Sequence, residues 1–177
     1  MQQKLLLDVY HCVYMIKDGL SRDFKGRAMK RNIHPDKFFS PAEQTQIGQA
    51  IEQAEKSTSA EIKLIVLRHC WLDIKRKAAE LFRKHGLTKT QQRNAVLILL
   101  VTTNREFLIY GDEGIHQKVG QSFWDDVKDV MISHFQQDKF GTGLQVGIER
   151  IGEKLRSYFP CQAGDKNEIS NEISYEE

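Results

Sequence analysis

Cysteine is scarce in this chain of 177 residues: Cys12, Cys70 and Cys161 are the only three. Their number is odd and no two share a C-x-x-C spacing. That excludes a disulfide framework and a cysteine zinc site, and it suits a reducing compartment. Long apolar runs are missing too. The longest, Ala95 to Val101, is strand length, whereas a membrane-crossing helix needs about 18 apolar residues or more. Neither sign of charge is in excess: 26 basic and 24 acidic residues leave +2, so nothing global argues for nucleic acid or an anionic membrane. No repeat and no low-complexity tract occurs. Leu5-Leu6-Leu7 opens an apolar patch, but Asp8 and His11 interrupt it and no small-residue cleavage site follows. This is a poor signal peptide, and the expected location is cytoplasmic.

What is present is a globular balance, 40% hydrophobic and 28% charged, in a length suited to one domain with something left over. The two ends carry opposite charge. Met1 to Phe39 has eight basic and four acidic residues, and Asp165 to Glu177 has five acidic and one basic. The expected organisation is an N-terminal extension (1–37), one domain (38–160) and an acidic C-terminal tail (161–177). Whether residues 1–28 belong to the folded unit is open at this level.

Ser40-Pro41-Ala42-Glu43 combines an N-cap, a first-position proline and a capping-box glutamate, so a helix starts there. Ile47, Ala50, Ile51 and Ala54 give it one apolar face. Glu61 to Leu67 reads as a strand. Asp73 can cap a second helix with the face Ile74, Ala78, Leu81 and Phe82, stopped by Gly86. Ala95 to Thr103 reads as a strand buried on both faces. Thr103-Asn104-Arg105 is turn material, and Glu106 to Tyr110 is the return arm of a hairpin. Gly111 to Gly114 reads as a loop. A third helix is expected to be capped by Ser122, with the face Phe123, Val127, Val130, Met131 and Phe135. A fourth carries Leu144, Ile148, Ile151, Leu155 and Phe159 and ends at Pro160. Gly143, Gly147 and Gly152 in its pattern suggest close packing, because interior glycine costs ~1 kcal/mol. A helical crossover makes the first two strands parallel and right-handed, and the short turn makes the third antiparallel. The class is α/β with a small mixed sheet.

Several strings together resemble one family, the TPM domain. Ser57-Thr58-Ser59-Ala60-Glu61-Ile62 is similar to its T-G-x-E-I segment. Arg93-Asn94-Ala95-Val96-Leu97-Ile98 is similar to its N-G-V-L-I strand, and Gly111-Asp112-Glu113-Gly114 to its G-x-G turn. Phe140 with Gly143-Leu144 and Gly147-Ile148 is similar to its closing helix. The likeness spans about 38–160 and is greatest to short soluble bacterial members, down to the tail Asn167-Glu168-Ile169-Ser170-Asn171-Glu172-Ile173-Ser174, with Ala60 and Ala95 standing where glycine is usual. It implies an α/β/α sandwich with about four helices, a bound divalent cation (calcium or magnesium), and an acid phosphatase-like activity in some members.

Topology sharpens the metal expectation. The crossover and hairpin bring Glu61, Asn94 and Asp112 to one sheet edge, near Glu113 and the third helix's first acids, Asp125 and Asp126. Hard cations take several such oxygens. The expected metal set is therefore Glu61, Asp112, Glu113, Asp125 and Asp126, with Asn94 and Arg93 as ligand-binding residues. Asp73, beside His69 and Cys70 at the opposite edge, competes as a crevice residue or is a helix cap. Cys70 and Arg76 have the C-x5-R spacing but no glycine-rich cradle, and there is no aspartate-nucleophile signature, so hydrolysis would need metal-activated water. His34-Pro35-Asp36 mimics the J-domain tripeptide without the two preceding helices. His134, Phe123 and Trp124 read as packing residues. Two functions follow: weak metal-assisted phosphomonoester hydrolysis, or a non-enzymatic metal-responsive module that binds a protein partner. Neither nucleic acid nor membrane insertion is expected.

Overall fold

The computed structural model describes residues 11–15, 31–162 and 164–177. Strand β1 (His11–Met15) is followed by a single helical turn, α1 (Pro35–Phe38), and by α2 (Pro41–Glu55). The capping box at α2 forms as its residues dictate: the Ser40 hydroxyl accepts from the Glu43 amide, and the Glu43 carboxylate accepts from the Ser40 amide. The rest is β2 (Glu61–Leu67), α3 (Ile74–Lys84), β3 (Ala95–Val101), β4 (Glu106–Gly111), α4 (Glu113–Val119), α5 (Gln121–Phe135), α6 (Phe140–Arg156) and β5 (Ser174–Glu176).

The strands form one mixed sheet in the order β1-β4-β3-β2-β5. The β2 and β3 strands are parallel, with Glu61 opposite Ala95, and the β3–β4 hairpin is antiparallel. Both central strands are buried along their whole length, which is why their sequences are continuous apolar runs rather than alternating ones. Ile62, Leu64, Val66, Val96, Ile98 and Leu100 face a core made with α2, α5 and α6. The alternate residues Ile65, Leu67, Leu97, Leu99 and Val101 face α3. The result is an α/β/α sandwich.

Three local expectations give way. Gly111 to Gly114 is not a loop: β4 runs through Gly111, and Asp112 caps α4, its side chain accepting from the Glu113 amide at 2.8 Å. Gly120, at φ 71°, is the N-cap of α5, so Ser122 lies inside the first turn. Both ends reach the sheet rather than hanging from it. Residues 11–15 pair antiparallel with β4, and 174–176 pair parallel with β2. The remainder of the 1–28 extension lies outside the described residues. Among the described residues no helix is long and apolar enough to cross a membrane.

Candidate functional site

The junction where β3 begins and β4 ends is built from two short strings. Arg93 has a left-handed backbone, φ 52°, which turns the chain so that its carbonyl accepts from the Gly114 amide at 3.1 Å. A Cβ on Gly114 would meet the carbonyl oxygens of Gln92 and Arg93 at 2.7 Å, so only glycine allows this approach. The Arg93 guanidinium grips Asp112 through two bonds of 2.8 Å. The Asp112 carboxylate, 4% exposed, thus has both oxygens engaged, one of them also capping α4. It holds the Arg93 guanidinium above its ordinary range through the hydrogen bonds themselves, despite some desolvation. Asn94 is buried and donates to the Ser59 carbonyl at 2.8 Å, fastening the start of β3 to the start of β2.

Glu61 reaches the same edge, as the register requires. Its two oxygens accept from the amides of Glu168 at 3.0 Å and Ile169 at 3.2 Å. Burial pushes its carboxyl upward, against the pull of those amides. Glu113 is exposed. Asp125 lies 3.8 Å from Lys128, and Asp126 lines a separate groove with Arg150 and Lys154 between α5 and α6. The edge therefore collects Glu61, Arg93, Asn94 and Asp112, while Asp125 and Asp126 belong to the helical layer. Among the described residues no three His, Cys, Asp or Glu side chains gather as a metal-holding group. Asp112 in particular does not fit a cation, because a guanidinium already occupies its face.

A better-shaped place lies alongside. A cleft of about 310 Å³ is lined by the acids Glu52, Glu55, Glu61 and Asp165, with Lys56 and Lys166 also on its wall, Lys56 being paired with Glu52 at 2.7 Å. Glu55 Oε1 accepts from the Ile62 amide at 2.8 Å, and its Oε2 is buried and completes no hydrogen bond of good geometry. Burial raises its pKa to about 7, helped by the neighbouring Glu61 charge and opposed by the Ile62 bond, the adjacent Asn171 side chain and the Lys63 charge. The sequence carried a faint sign of this. Glu55 follows Ile51 by four residues, on the inward side of α2, and an acid in a last helical turn opposes the helix dipole. The tail residues Asn167 and Asn171, which help close the cleft, stood out only through the family likeness of the tail and not as site residues.

At the other edge Asp73 caps α3, accepting from the amides of Lys75 and Arg76. The Cys70 thiol is buried and donates to the Leu72 carbonyl, and burial pushes its pKa up, which is the opposite of an activated nucleophile. His34 and Asp36 hydrogen-bond to each other within the α1 segment.

An α/β/α sandwich with interlocked 93–94 and 112–114 strings and an acidic cleft at the start of β2 defines a class. The family model for the TPM domain matches residues 33–154, and the chain belongs to the TPM domain family. Among solved structures it is similar to the BA42 protein of the psychrophilic bacterium Bizionia argentinensis. The two are 36% identical with a TM-score of 0.74, over 78% of this chain and 95% of that one. It shares its fold with an N-terminal domain of a protein from P. gingivalis (20% identity, TM-score 0.56, 68% of this chain and 78% of that one). The same holds for the N-terminal domain of cg2496 from Corynebacterium glutamicum (14%, TM-score 0.53, 76% and 79%). No curated protein matches the chain.

Proposed function

We propose that this TPM domain is a cation-responsive binding module, with its site in the cleft between α2, β2 and the C-terminal tail. The ligand is a divalent cation, calcium or magnesium, facing Glu55 and Glu61. The single observation that carries the reading is Glu55 Oε2, a buried carboxylate oxygen that completes no hydrogen bond of good geometry and has only the Asn171 side chain beside it. Such an atom is costly, and a cation would satisfy it. Two carboxylates suit a largely hydrated ion: magnesium keeps several waters and is commonly held by one or two acidic side chains together with oxygens of a further ligand such as a phosphate. Bound there, the ion would supply positive charge between two carboxyls that burial now holds up. The tail, whose Glu168 and Ile169 amides rest on Glu61, would change its hold and present a different surface to a protein partner. The geometry gives phosphomonoester hydrolysis no matching support, because Arg93 is tied to Asp112. A cytoplasmic location is part of the proposal, and the free Cys70 and Cys161 thiols support it.

Calorimetric titration with calcium and with magnesium tests it on the parent chain, Glu55→Gln and Asp112→Asn. The parent binds, and Glu55→Gln weakens binding by about ten-fold or more, since a neutral amide is a poorer ligand. Asp112→Asn binds as the parent does but unfolds more easily, by about 1–2 kcal/mol, because it loses the charge and one bond of a bidentate pair, while asparagine still caps the helix. Binding lost in Asp112→Asn and kept in Glu55→Gln would move the site to the strand junction. No heat with either ion overturns the reading.

A further inference from the structure

The carboxyl-end edge of β2 and β3 has no part in that cleft, yet it carries the most exposed large apolar side chains among the described residues. Trp71 is 89% exposed and Leu72 63%. Soluble chains do not normally present tryptophan this way, because its large ring is strongly driven to burial. Nor is the exposure a loose end. Cys70 is buried beneath the tip and donates to the Leu72 carbonyl at 3.1 Å. Asn104 bonds the Cys70 backbone at both its carbonyl and its amide, at 3.0 Å and 3.4 Å. The His69 ring stacks on Trp71 with centroids 5.3 Å apart. The fold holds the tip outward.

Cations surround it. Lys75 and Arg76 are exposed in the first turn of α3, and Arg105 is exposed in the turn that Asn104 fastens to the tip. These three make no ion pair among the described residues. Two acids lie close by: Asp73, engaged in capping α3, and Glu106 at the start of β4, whose charges reach Cys70 beneath the tip as does that of Lys77. The net charge of +2 hides this local concentration. Two apolar side chains expose on the order of 300 Å², well short of the ~800 Å² that a protein partner covers. They suit a headgroup layer, where tryptophan seats its ring in the apolar boundary with its N–H in the wet region. Lysine and arginine beside it meet lipid phosphates.

We propose that the Trp71-Leu72 tip, with Lys75, Arg76 and Arg105 behind it, docks this protein on the surface of anionic phospholipid bilayers. Among the described residues no helix is long and apolar enough to cross the membrane; the contact is peripheral and electrostatic, with one aromatic anchor. One apolar anchor plus a basic patch makes such binding reversible.

The test uses the full chain with sedimented vesicles, either neutral phosphatidylcholine or the same lipid with about a third phosphatidylserine. The expected result is binding to the anionic vesicles alone, lost at about 0.5 M salt, where screening shortens to a few ångströms. Trp71→Ala, at a site too exposed to disturb folding, lowers the bound fraction about ten-fold, and Lys75→Glu/Arg76→Glu does the same. Tryptophan emission shifts to the blue on binding in the parent and not in Trp71→Ala, because Trp124 is already buried. Equal binding to neutral vesicles, binding unchanged in Trp71→Ala, or no binding at all overturns the proposal. So does stronger capture by single-stranded nucleic acid than by vesicles.

Discussion

Gly152 shows how little room separates α2 from α6. A Cβ built there would lie 2.6 Å from the Ala54 Cβ and 3.0 Å from its Cα, and backbone cannot step aside as a flexible side chain does. Gly48, on α2, has nothing within 4 Å of such a Cβ. The two helical glycines therefore respond in opposite ways to the same change. Gly48→Ala stabilises by up to ~1 kcal/mol, the propensity gain alone. Gly152→Ala gains the same propensity but incurs an overpacking cost of about 1–3 kcal/mol, so it destabilises or at best breaks even. Urea unfolding of the pair measures this, and two variants stabilised alike would show that α6 can move away from Ala54. Gly147 meets Met131 at 2.7 Å, but a methionine side chain can adapt, so its alanine variant is the milder case.

The tail shows what holds an element that has little propensity of its own. Ser174–Glu176 is three residues long and partly exposed, too short to be stable except by pairing. Two charged side chains of β2 fasten the segment before it. Buried Lys63 donates to the carbonyls of Ser170 at 2.8 Å and Glu172 at 2.7 Å, and Glu61 accepts from the amides of Glu168 and Ile169. Further along, Glu176 bonds Lys84 and His85. Lys63→Met keeps the apolar stem and removes both donors. The expected outcome is faster amide exchange in 174–176, by the equivalent of about 1–3 kcal/mol of local opening, with the β3–β4 amides still protected. Uniform loss of protection would mean that the tail and the sheet open as one unit, and no change would mean that Lys63 does not hold it.

Across the molecule, two pairs of carboxyls have opposite effects on stability. Glu43 and Glu176 are held below the ordinary range by Arg31 and by Lys84 with His85, although burial works against them. Their contribution is present above the unfolded value near 4.5 and is lost as pH falls through their lower folded values. Glu55 is reversed. Its folded pKa is about 7 against an ordinary 4.5, so the folded state binds the proton more tightly. Stability from this group declines as pH rises from about 4.5 to about 7 and is level beyond that. Glu61, also raised by burial, adds to the same slope. Thermal unfolding in chelator at several pH values, comparing the parent with Glu55→Gln, isolates the effect. The gap between them should shift in favour of the variant as pH climbs through that window. A constant gap would mean that Glu55 titrates normally.

The elements most legible in the sequence are those determined by neighbours along the chain. The Ser40–Glu43 box, the apolar face of α2, the Asp73 cap and the two continuous strands all depend on contacts within a few residues. The arrival of Glu61, Asn94 and Asp112 at one edge was also legible, because crossover handedness and a short hairpin leave few other topologies. What those residues do when they arrive was decided by tertiary contacts. Asp112 meets Arg93 only once β4 has returned beside β3, and Glu61 meets backbone amides 107 and 108 residues away. Gly111 and Gly114 read as chain breakers, yet Gly114 is required where α4 closes on the Arg93 carbonyl. Local pattern records the periodicity that burial imposes on each segment. It does not record which distant backbone group will satisfy a buried charge, and that choice makes Asp112 a brace and leaves Glu55 with an open oxygen.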